Sequence, residues 1–384
     1  MNLKVLHIIN SFKAGGAELL VSDLAPIWYD AGITSFIVAL SDAKDDVGIA
    51  ARSRLEAAGI QFAILGKKRQ KQRIRTAAEI VKLVKTFKPD IIHTHCSSPD
   101  IFGAVAAIAT RSKHICTLHN VVRDKSFFRK NVWRLLCMAA KTRFIAISPS
   151  VGTSWQTKGN LLAKRITVIP NGTDPRRFQG DINRATVRME LLNAQPEQIS
   201  ILAVGSLTKQ KNFPCLLEAA AMLTKQSIEY HLTILGEGEE RPKLNDIVNR
   251  LELSNHISMP GISDRIPEAM RATDILVVPS SWEGFGLVAT EGLMAGIPVI
   301  ASNVDGLRDL AMRGAPMRVF TCNDSADLAK QIMELIHSPE TMQRIGSEGK
   351  AWAIENCSLQ AMAQGYQYFY NDMIASYLDM GTHK

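Results

Sequence analysis

Glu283-Gly-Phe-Gly-Leu-Val-Ala-Thr-Glu291 follows the apolar run Ile275–Val278 and leads into the apolar run Val288–Met294. The order reads as strand, loop and helix. Eight residues along a helix turn through about 800°, so the two carboxylates would not share a helical face. The spacing therefore predicts Glu283 in the loop and Glu291 on the helix. Between them, Gly284 and Gly286 leave backbone N–H groups bare at a helix N-terminus, where unpaired donors and the helix dipole favour an anion. A polyanion flanked by two hydrogen-bond-accepting carboxylates implies phosphates in the middle and hydroxyl-rich groups at both ends. A nucleotide sugar has that form.

Outward from this stretch, the chain alternates short apolar β-branched runs with helical patterns. The first series comprises Lys4–Ile9, Ser35–Leu40, Phe62–Leu65, Ile91–Thr94, His114–Leu118, Arg143–Ile147 and Thr167–Ile169. A second begins at Ser200–Val204 and continues through His231–Leu235, His256–Met259, Ile275–Val278, Pro298–Ala301 and Met317–Phe320. Such alternation predicts parallel sheets with right-handed crossovers. The fold class is α/β, with two Rossmann-like doubly wound domains in tandem across a cleft. Pro170-Asn-Gly-Thr-Asp-Pro175 and a polar stretch to Pro196 place the boundary near residue 178, giving domains 1–178 and 179–359. The aromatic-rich tail helix, within 360–384, is expected to cross back onto the first domain, although periodicity alone equally allows a terminal helix of the second. In doubly wound domains ligands sit beyond the C-terminal ends of the strands.

A chain of 384 residues exceeds one ordinary core, and 46% hydrophobic content describes a folded α/β protein rather than a disordered one. The six scattered cysteines, with no Cys-x-x-Cys pair, read as reduced thiols of a cytoplasmic protein. Leu3–Ile9 is too short for a signal peptide, and Ile101–Ala109 cannot cross a bilayer. Charge is segregated. Residues 1–177 hold 28 of the 45 basic residues and 12 of the 37 acidic ones, a net +16 against −8 for the remainder. The basic half should face something anionic.

The run Lys67, Lys68, Arg69, Lys71 and Arg73 lacks interleaved aromatics, which argues against base stacking and against a nucleic-acid partner. Phe127, Phe128, Arg129, Lys130 and Trp133 mix aromatic with basic residues on one short helix. They read as a membrane-facing element beside an anionic surface. Gly15 and Gly16, after the first strand, let backbone approach a phosphate. A structural turn explains them equally well. His93 and His95, two apart on a strand, could ligate metal. No carboxylate or cysteine completes the set and the chain has no Asp-x-Asp, so hydrogen-bonding roles are favoured. His119, ending the next strand, is better placed to touch substrate. In Gly205-Ser-Leu-Thr-Lys-Gln-Lys-Asn212 a lysine can neutralise a leaving phosphate without metal.

Together these residues resemble the family 4 glycosyltransferases of the GT-B fold. The resemblance covers essentially the whole chain. It runs through Gly15-Gly-Ala-Glu18, Pro89-Asp-Ile-Ile-His-Thr-His95, Thr117-Leu-His-Asn120, Ile145-Ala-Ile-Ser148 and Val168-Ile-Pro-Asn-Gly-Thr-Asp174. It continues through the Gly205–Asn212 turn, Gly236-Glu-Gly-Glu-Glu-Arg241, Ala272-Thr-Asp-Ile-Leu-Val-Val-Pro-Ser280, Glu283–Glu291 and Ala295-Gly-Ile-Pro-Val-Ile-Ala301. It implies a retaining, metal-independent transferase with no cofactor, moving a hexose or N-acetylhexosamine from a nucleotide sugar, most simply a UDP-sugar. The acceptor would be a lipid-linked or surface-polysaccharide glycan at the inner leaflet.

By the same resemblance, Glu283 holds donor-sugar hydroxyls and Glu291 the ribose. The backbone of Gly284, Phe285, Gly286 and Leu287, with Gly16, cradles the diphosphate. Lys211 stabilises the departing phosphate and His119 meets the sugar near the reacting carbon. The backbone of Ile262 reads the base. One position departs: Ser206 stands where members usually carry an arginine. Losing one cation from a transition-state clamp costs on the order of 3 kcal/mol unless a neighbour such as Lys209 replaces it. A non-catalytic subunit that docks a partner enzyme to the membrane is the alternative reading.

Overall fold

The computed structural model describes residues 3–12, 16–42, 46–66, 72–95, 97–122 and 127–378, without the side chains of 16–19, 46–47, 97, 127–130 and 376–378. The chain divides into two compact units, Met1–Pro170 with Leu359–Lys384, and Asn171–Ser358.

Unit 1 is built on seven parallel strands: β1 (Leu3–Ile9), β2 (Ile33–Ala39), β3 (Gln61–Ile64), β4 (Ile91–His95), β5 (Lys113–Leu118), β6 (Arg143–Ala146) and β7 (Ile166–Val168). Their spatial order is 3-2-1-4-5-6-7. Unit 2 holds β8 (Ile199–Val204), β9 (Tyr230–Leu235), β10 (Ile257–Gly261), β11 (Ile275–Val278), β12 (Val299–Ser302) and β13 (Arg318–Phe320), in the order 10-9-8-11-12-13. Both sheets run outward in two directions from a central pair, which is the doubly wound α/β arrangement expected. The strand order reverses between β1 and β4 in unit 1, and between β8 and β11 in unit 2. Crevices for ligands open at such reversals, beyond the carboxyl ends of the strands.

Strands buried on both faces read as continuous apolar runs, and these do. Leu6, Ile8, Val38 and Ile92 pack with Ile80, Val84 and Phe102 in one core of unit 1. Ile201, Ala203, Leu232, Ile234, Ile275 and Val277 anchor that of unit 2. Register is fixed at the centre, with Ile275 opposite Ile201 and Leu276 opposite Leu202. Cys116, Cys137, Cys215 and Cys357 are buried free thiols, whereas Cys96 lies outside the described residues.

The division falls at Pro170/Asn171 rather than near residue 178. Residues 171–178 are tied to unit 2: the Thr173 N–H donates to Cys357 O (2.9 Å), and Thr173 pairs with Ser358 in an isolated bridge. The polar stretch that followed is not all linker. Arg184–Leu191 is a helix, N-capped by the Asn183 side chain accepting from Thr186 N–H (3.1 Å). It is anchored by Arg188 on Asp274 (3.0 Å). The terminal helix Leu359–Leu378 lies in unit 1, burying Tyr366, Phe369 and Tyr370. Among the described residues no helix is long and apolar enough to cross a membrane.

Candidate active site

In unit 2 the turns after β8 and β11, the two strands at the reversal, carry the residues singled out in the sequence. Gly205 follows β8 with φ +153°, and a Cβ there would stand 3.0 Å from Cε of Lys211 and 3.2 Å from its Cδ and Cγ. The missing side chain lets the lysine stem lie across the turn. The ammonium reaches Glu283 Oε1 at 2.5 Å, and Ser280 Oγ donates to the same oxygen at 3.0 Å. Ser280 is itself fixed, its carbonyl accepting from Ser302 Oγ at 2.5 Å. The pair is mostly shielded, with 17% of the lysine and 12% of the glutamate side chain exposed. Among the described residues no other group bonds Glu283 Oε2 or Lys211 Nζ.

Gly286 precedes the helix Leu287–Ala295 in the left-handed region (φ +93°), where a Cβ would strike Leu307 Cδ2 at 2.5 Å. Phe285 anchors the turn in the core, and Gly306 N–H holds the carbonyl of Glu283 at 3.1 Å. The amides of Gly284, Phe285, Gly286 and Leu287 have no acceptor among the described residues. Four bare donors at a helix N-terminus, directly after the Glu283 that holds the Lys211 ammonium, suit an anion.

Glu291, on that helix as expected, pairs with Arg177 (2.8 Å). Burial raises its carboxyl above the usual glutamate range, and the Arg177 guanidinium partly offsets this. Sequence reasoning missed Arg177 because the chosen boundary put it in the other domain. Its place just after Asn171-Gly-Thr-Asp174 was the available signal. Ser206 and Lys209 are exposed on the Gly205 turn, and Ile262, just past β10, is 81% exposed.

In unit 1, Gly15 lies outside the described residues, and Gly16 opens the helix Gly16–Asp30 after β1. His119 follows β5. Its Nε2 is sealed from solvent without a partner, and burial lowers its pKa to about 4, so the ring is neutral near pH 7. His93 and His95 point into the same interior as His7, and each of the three offers a nitrogen within 4.8 Å of the others. The set fits a metal poorly. Both nitrogens of His93 are already engaged, by Tyr370 Oη and Thr117 Oγ1 at 2.7 Å each. A metal-bound histidine normally donates its other N–H to an acceptor, and His7 Nε2 and His95 Nδ1 have none.

Trp133 is not membrane-facing. It is buried at 6% exposure, its Nε1 donates to Asp100 Oδ2 (3.2 Å), and its ring lies 4.9 Å from that of Trp155. Its helical phase puts it on the inner face with Cys137, one turn on. Of the other membrane-facing residues, Arg73 is exposed at the start of the helix Arg73–Phe87. Lys67, Lys68, Arg69 and Lys71 lie outside the described residues. Phe127, Phe128, Arg129 and Lys130 open the helix Phe127–Ala139, but their side chains are outside the described set.

Two doubly wound parallel sheets in tandem, of orders 3-2-1-4-5-6-7 and 10-9-8-11-12-13, are those of a GT-B architecture. The family model "Glycosyltransferase Family 4" matches residues 14–177, and "Glycosyl transferases group 1" matches residues 188–352. The chain belongs to the family 4 glycosyltransferases of the GT-B fold. It is 28% identical over 297 residues to an uncharacterized glycosyltransferase of Methanocaldococcus jannaschii, covering 74% of this chain and 76% of that protein. It is 28% identical over 256 residues to the UDP-Gal:alpha-D-GlcNAc-diphosphoundecaprenol alpha-1,3-galactosyltransferase of Escherichia coli, covering 61% of this chain and 62% of that one. The crystal structure of Anabaena HepE with UDP superposes with a TM-score of 0.84 at 22% identity, over 96% of this chain and all of that one, which establishes the shared fold.

Proposed function

We propose that the chain is a retaining glycosyltransferase that moves a hexose or N-acetylhexosamine from a UDP-sugar to a lipid-linked or surface-polysaccharide acceptor, with neither metal nor cofactor. The observation that carries this is the pairing of Lys211 with Glu283 beside four acceptor-less amides at the strand-order reversal of unit 2. A diphosphate would take those amides together with the ammonium. Displacing Glu283 from Lys211 would free its carboxylate for sugar hydroxyls. Glu291 would accept from the ribose in place of Arg177, and the exposed Ile262 suits the base. In unit 1, Gly15, Gly16 and His119 keep the roles that the resemblance gives them. The names of the Escherichia coli galactosyltransferase and of the HepE complex, both carrying UDP, favour that nucleotide.

The mechanism follows from where the carboxylates are assigned. A covalent route needs a carboxylate at the anomeric carbon on the face opposite the leaving group. With Glu283 on distal hydroxyls none is assigned there. The acceptor hydroxyl therefore attacks on the face the phosphate leaves, and the leaving phosphate takes its proton. Lys211 neutralises the charge that develops on that phosphate. NMR of the product tests this: a retained anomeric configuration is expected, and an inverted one overturns the mechanism.

We place the work at the cytoplasmic face of the membrane, with the protein held peripherally. Supporting this are the +16 charge of residues 1–177 and the apolar outer face of the helix Phe127–Ala139. There Leu135 and Met138 are 60% and 55% exposed, opposite the inward Trp133. Sedimentation with anionic liposomes at rising salt tests it. Salt-sensitive binding is expected, and binding that ignores salt counts against an electrostatic attachment.

Ser206 motivates a second reading, a non-catalytic subunit docking a partner enzyme. A panel of nucleotide sugars separates the two: hydrolysis or transfer supports the enzyme, and binding of no donor supports the subunit.

A further inference from the structure

One face of the unit 1 sheet carries a buried polar row. His7 on β1 lies beside His93 on β4 in register, and Thr117 on β5 lies beside His95. His7 stacks flat on Trp28, with centroids 4.9 Å apart and 4° between planes. The His93 and His95 rings are 4.1 Å apart, and His95 is 5.8 Å from His119. The terminal helix Leu359–Leu378 sets two tyrosines onto this row. Tyr370 Oη lies 2.7 Å from His93 Nδ1, His93 Nε2 lies 2.7 Å from Thr117 Oγ1, and Thr117 Oγ1 lies 3.3 Å from Tyr366 Oη.

The chain of bonds is closed at both ends by tyrosine hydroxyls. A neutral imidazole has one N–H and one lone pair, so one hydroxyl beside His93 must donate and the other accept. Deleting the Tyr370 hydroxyl therefore leaves His93 Nδ1 buried without its partner, and deleting that of Tyr366 takes one of two partners from Thr117 Oγ1. Thr117 is two residues from His119 along β5 and its continuation, so both point to the same side of the sheet. Thr117 is thus held two residues before His119, and the His95 ring lies tilted 39° against that of His119.

We infer that Tyr366 and Tyr370 are positioning residues for sugar transfer: through His93 and Thr117 the terminal helix holds His119 in one orientation. The inference rests on the proposed role of His119 at the donor sugar. A merely structural role for the tyrosines would lower stability and leave the turnover of folded molecules unchanged.

The test uses Tyr370→Phe and Tyr366→Phe, which keep the rings, in the full-length protein. Side-chain ¹⁵N NMR of His119 should shift in Tyr370→Phe, and unchanged signals overturn the inference whether or not the protein turns over a donor. With a UDP-sugar, kcat of Tyr370→Phe should fall about tenfold at unchanged donor KM. The double variant Tyr370→Phe/His119→Ala should be no slower than His119→Ala alone, because both changes act through one group. Wild-type kcat in both tyrosine variants, or slowing that adds to that of His119→Ala, overturns the inference. A wild-type protein that turns over no donor counts against the proposed function instead, and the NMR result still decides the positioning.

Discussion

Lys211 Nζ lies 2.5 Å from Glu283 Oε1, although 72 residues separate them in the chain. The contact joins the turn after β8 to the turn after β11 and keeps both charged groups mostly shielded from water. In the proposed cycle the donor breaks it, each partner exchanging the other for a piece of substrate. Lys211→Ala should therefore lower kcat by about 10²–10³-fold, the usual effect of removing one transition-state charge donor. Glu283→Gln should also slow turnover strongly while UDP still binds. Steady-state kinetics with calorimetric titration of UDP checks both, and loss of UDP binding in Glu283→Gln would contradict the assignment.

The amide turn depends on Gly286. Alanine there meets both a left-handed backbone (φ +93°) and Leu307 Cδ2 at 2.5 Å. Gly286→Ala should cost about 1–3 kcal/mol of stability and weaken UDP binding, as read by urea unfolding and calorimetry. Unchanged UDP affinity would remove the turn from the diphosphate site.

Acid should destabilise unit 1. Burial depresses the pKa of His7 and His114 to about 3 and that of His119 to about 4, and it holds His93 and His95 well below 6.5. The unfolded chain takes up these protons near pH 6.5 and the folded one does not. Stability from the neutral rings is thus complete above pH 6.5 and is lost as pH falls toward 4. Each ring contributes a slope of up to about 1.4 kcal/mol per pH unit. Melting curves from pH 7.5 to 4.5 should show a steep fall in Tm, and a flat profile would contradict neutral burial.

Asp274 accepts from Arg188 (3.0 Å), from Arg184 and from the Ser200 N–H (2.8 Å). Arg188 is 7% exposed. Asp274→Ala leaves that guanidinium buried without its counter-charge and should cost about 3–5 kcal/mol in urea unfolding. A change under 1 kcal/mol would mean the pair is solvated.

Much of this was legible in the chain. The strand sequence, the doubly wound class and the loop-then-helix placement of Glu283 and Glu291 follow from apolar runs broken by glycine. That signal is local, and parallel sheets read it out faithfully. What was hidden depends on contacts distant in sequence. The helix Arg184–Leu191 is short and polar on average, and it is held by Asp274, far along the chain. Arg177 gains its role only by meeting Glu291. Trp133 sits among basic residues that suggest a surface, yet its helical phase turns it inward onto Asp100 and Trp155. The third histidine of the row, His7, comes from another strand, and the tyrosines that complete the row come from the last helix.

The central claim is that the bare amides of Gly284–Leu287, with Lys211, bind the diphosphate of a nucleotide sugar. Thermal-shift titration with UDP, GDP and ADP and their sugars tests it most directly, since a bound ligand stabilises by mass action. The account predicts a Tm that climbs with UDP concentration in the wild type and climbs far less in Lys211→Ala. A Tm that none of these nucleotides moves would contradict it.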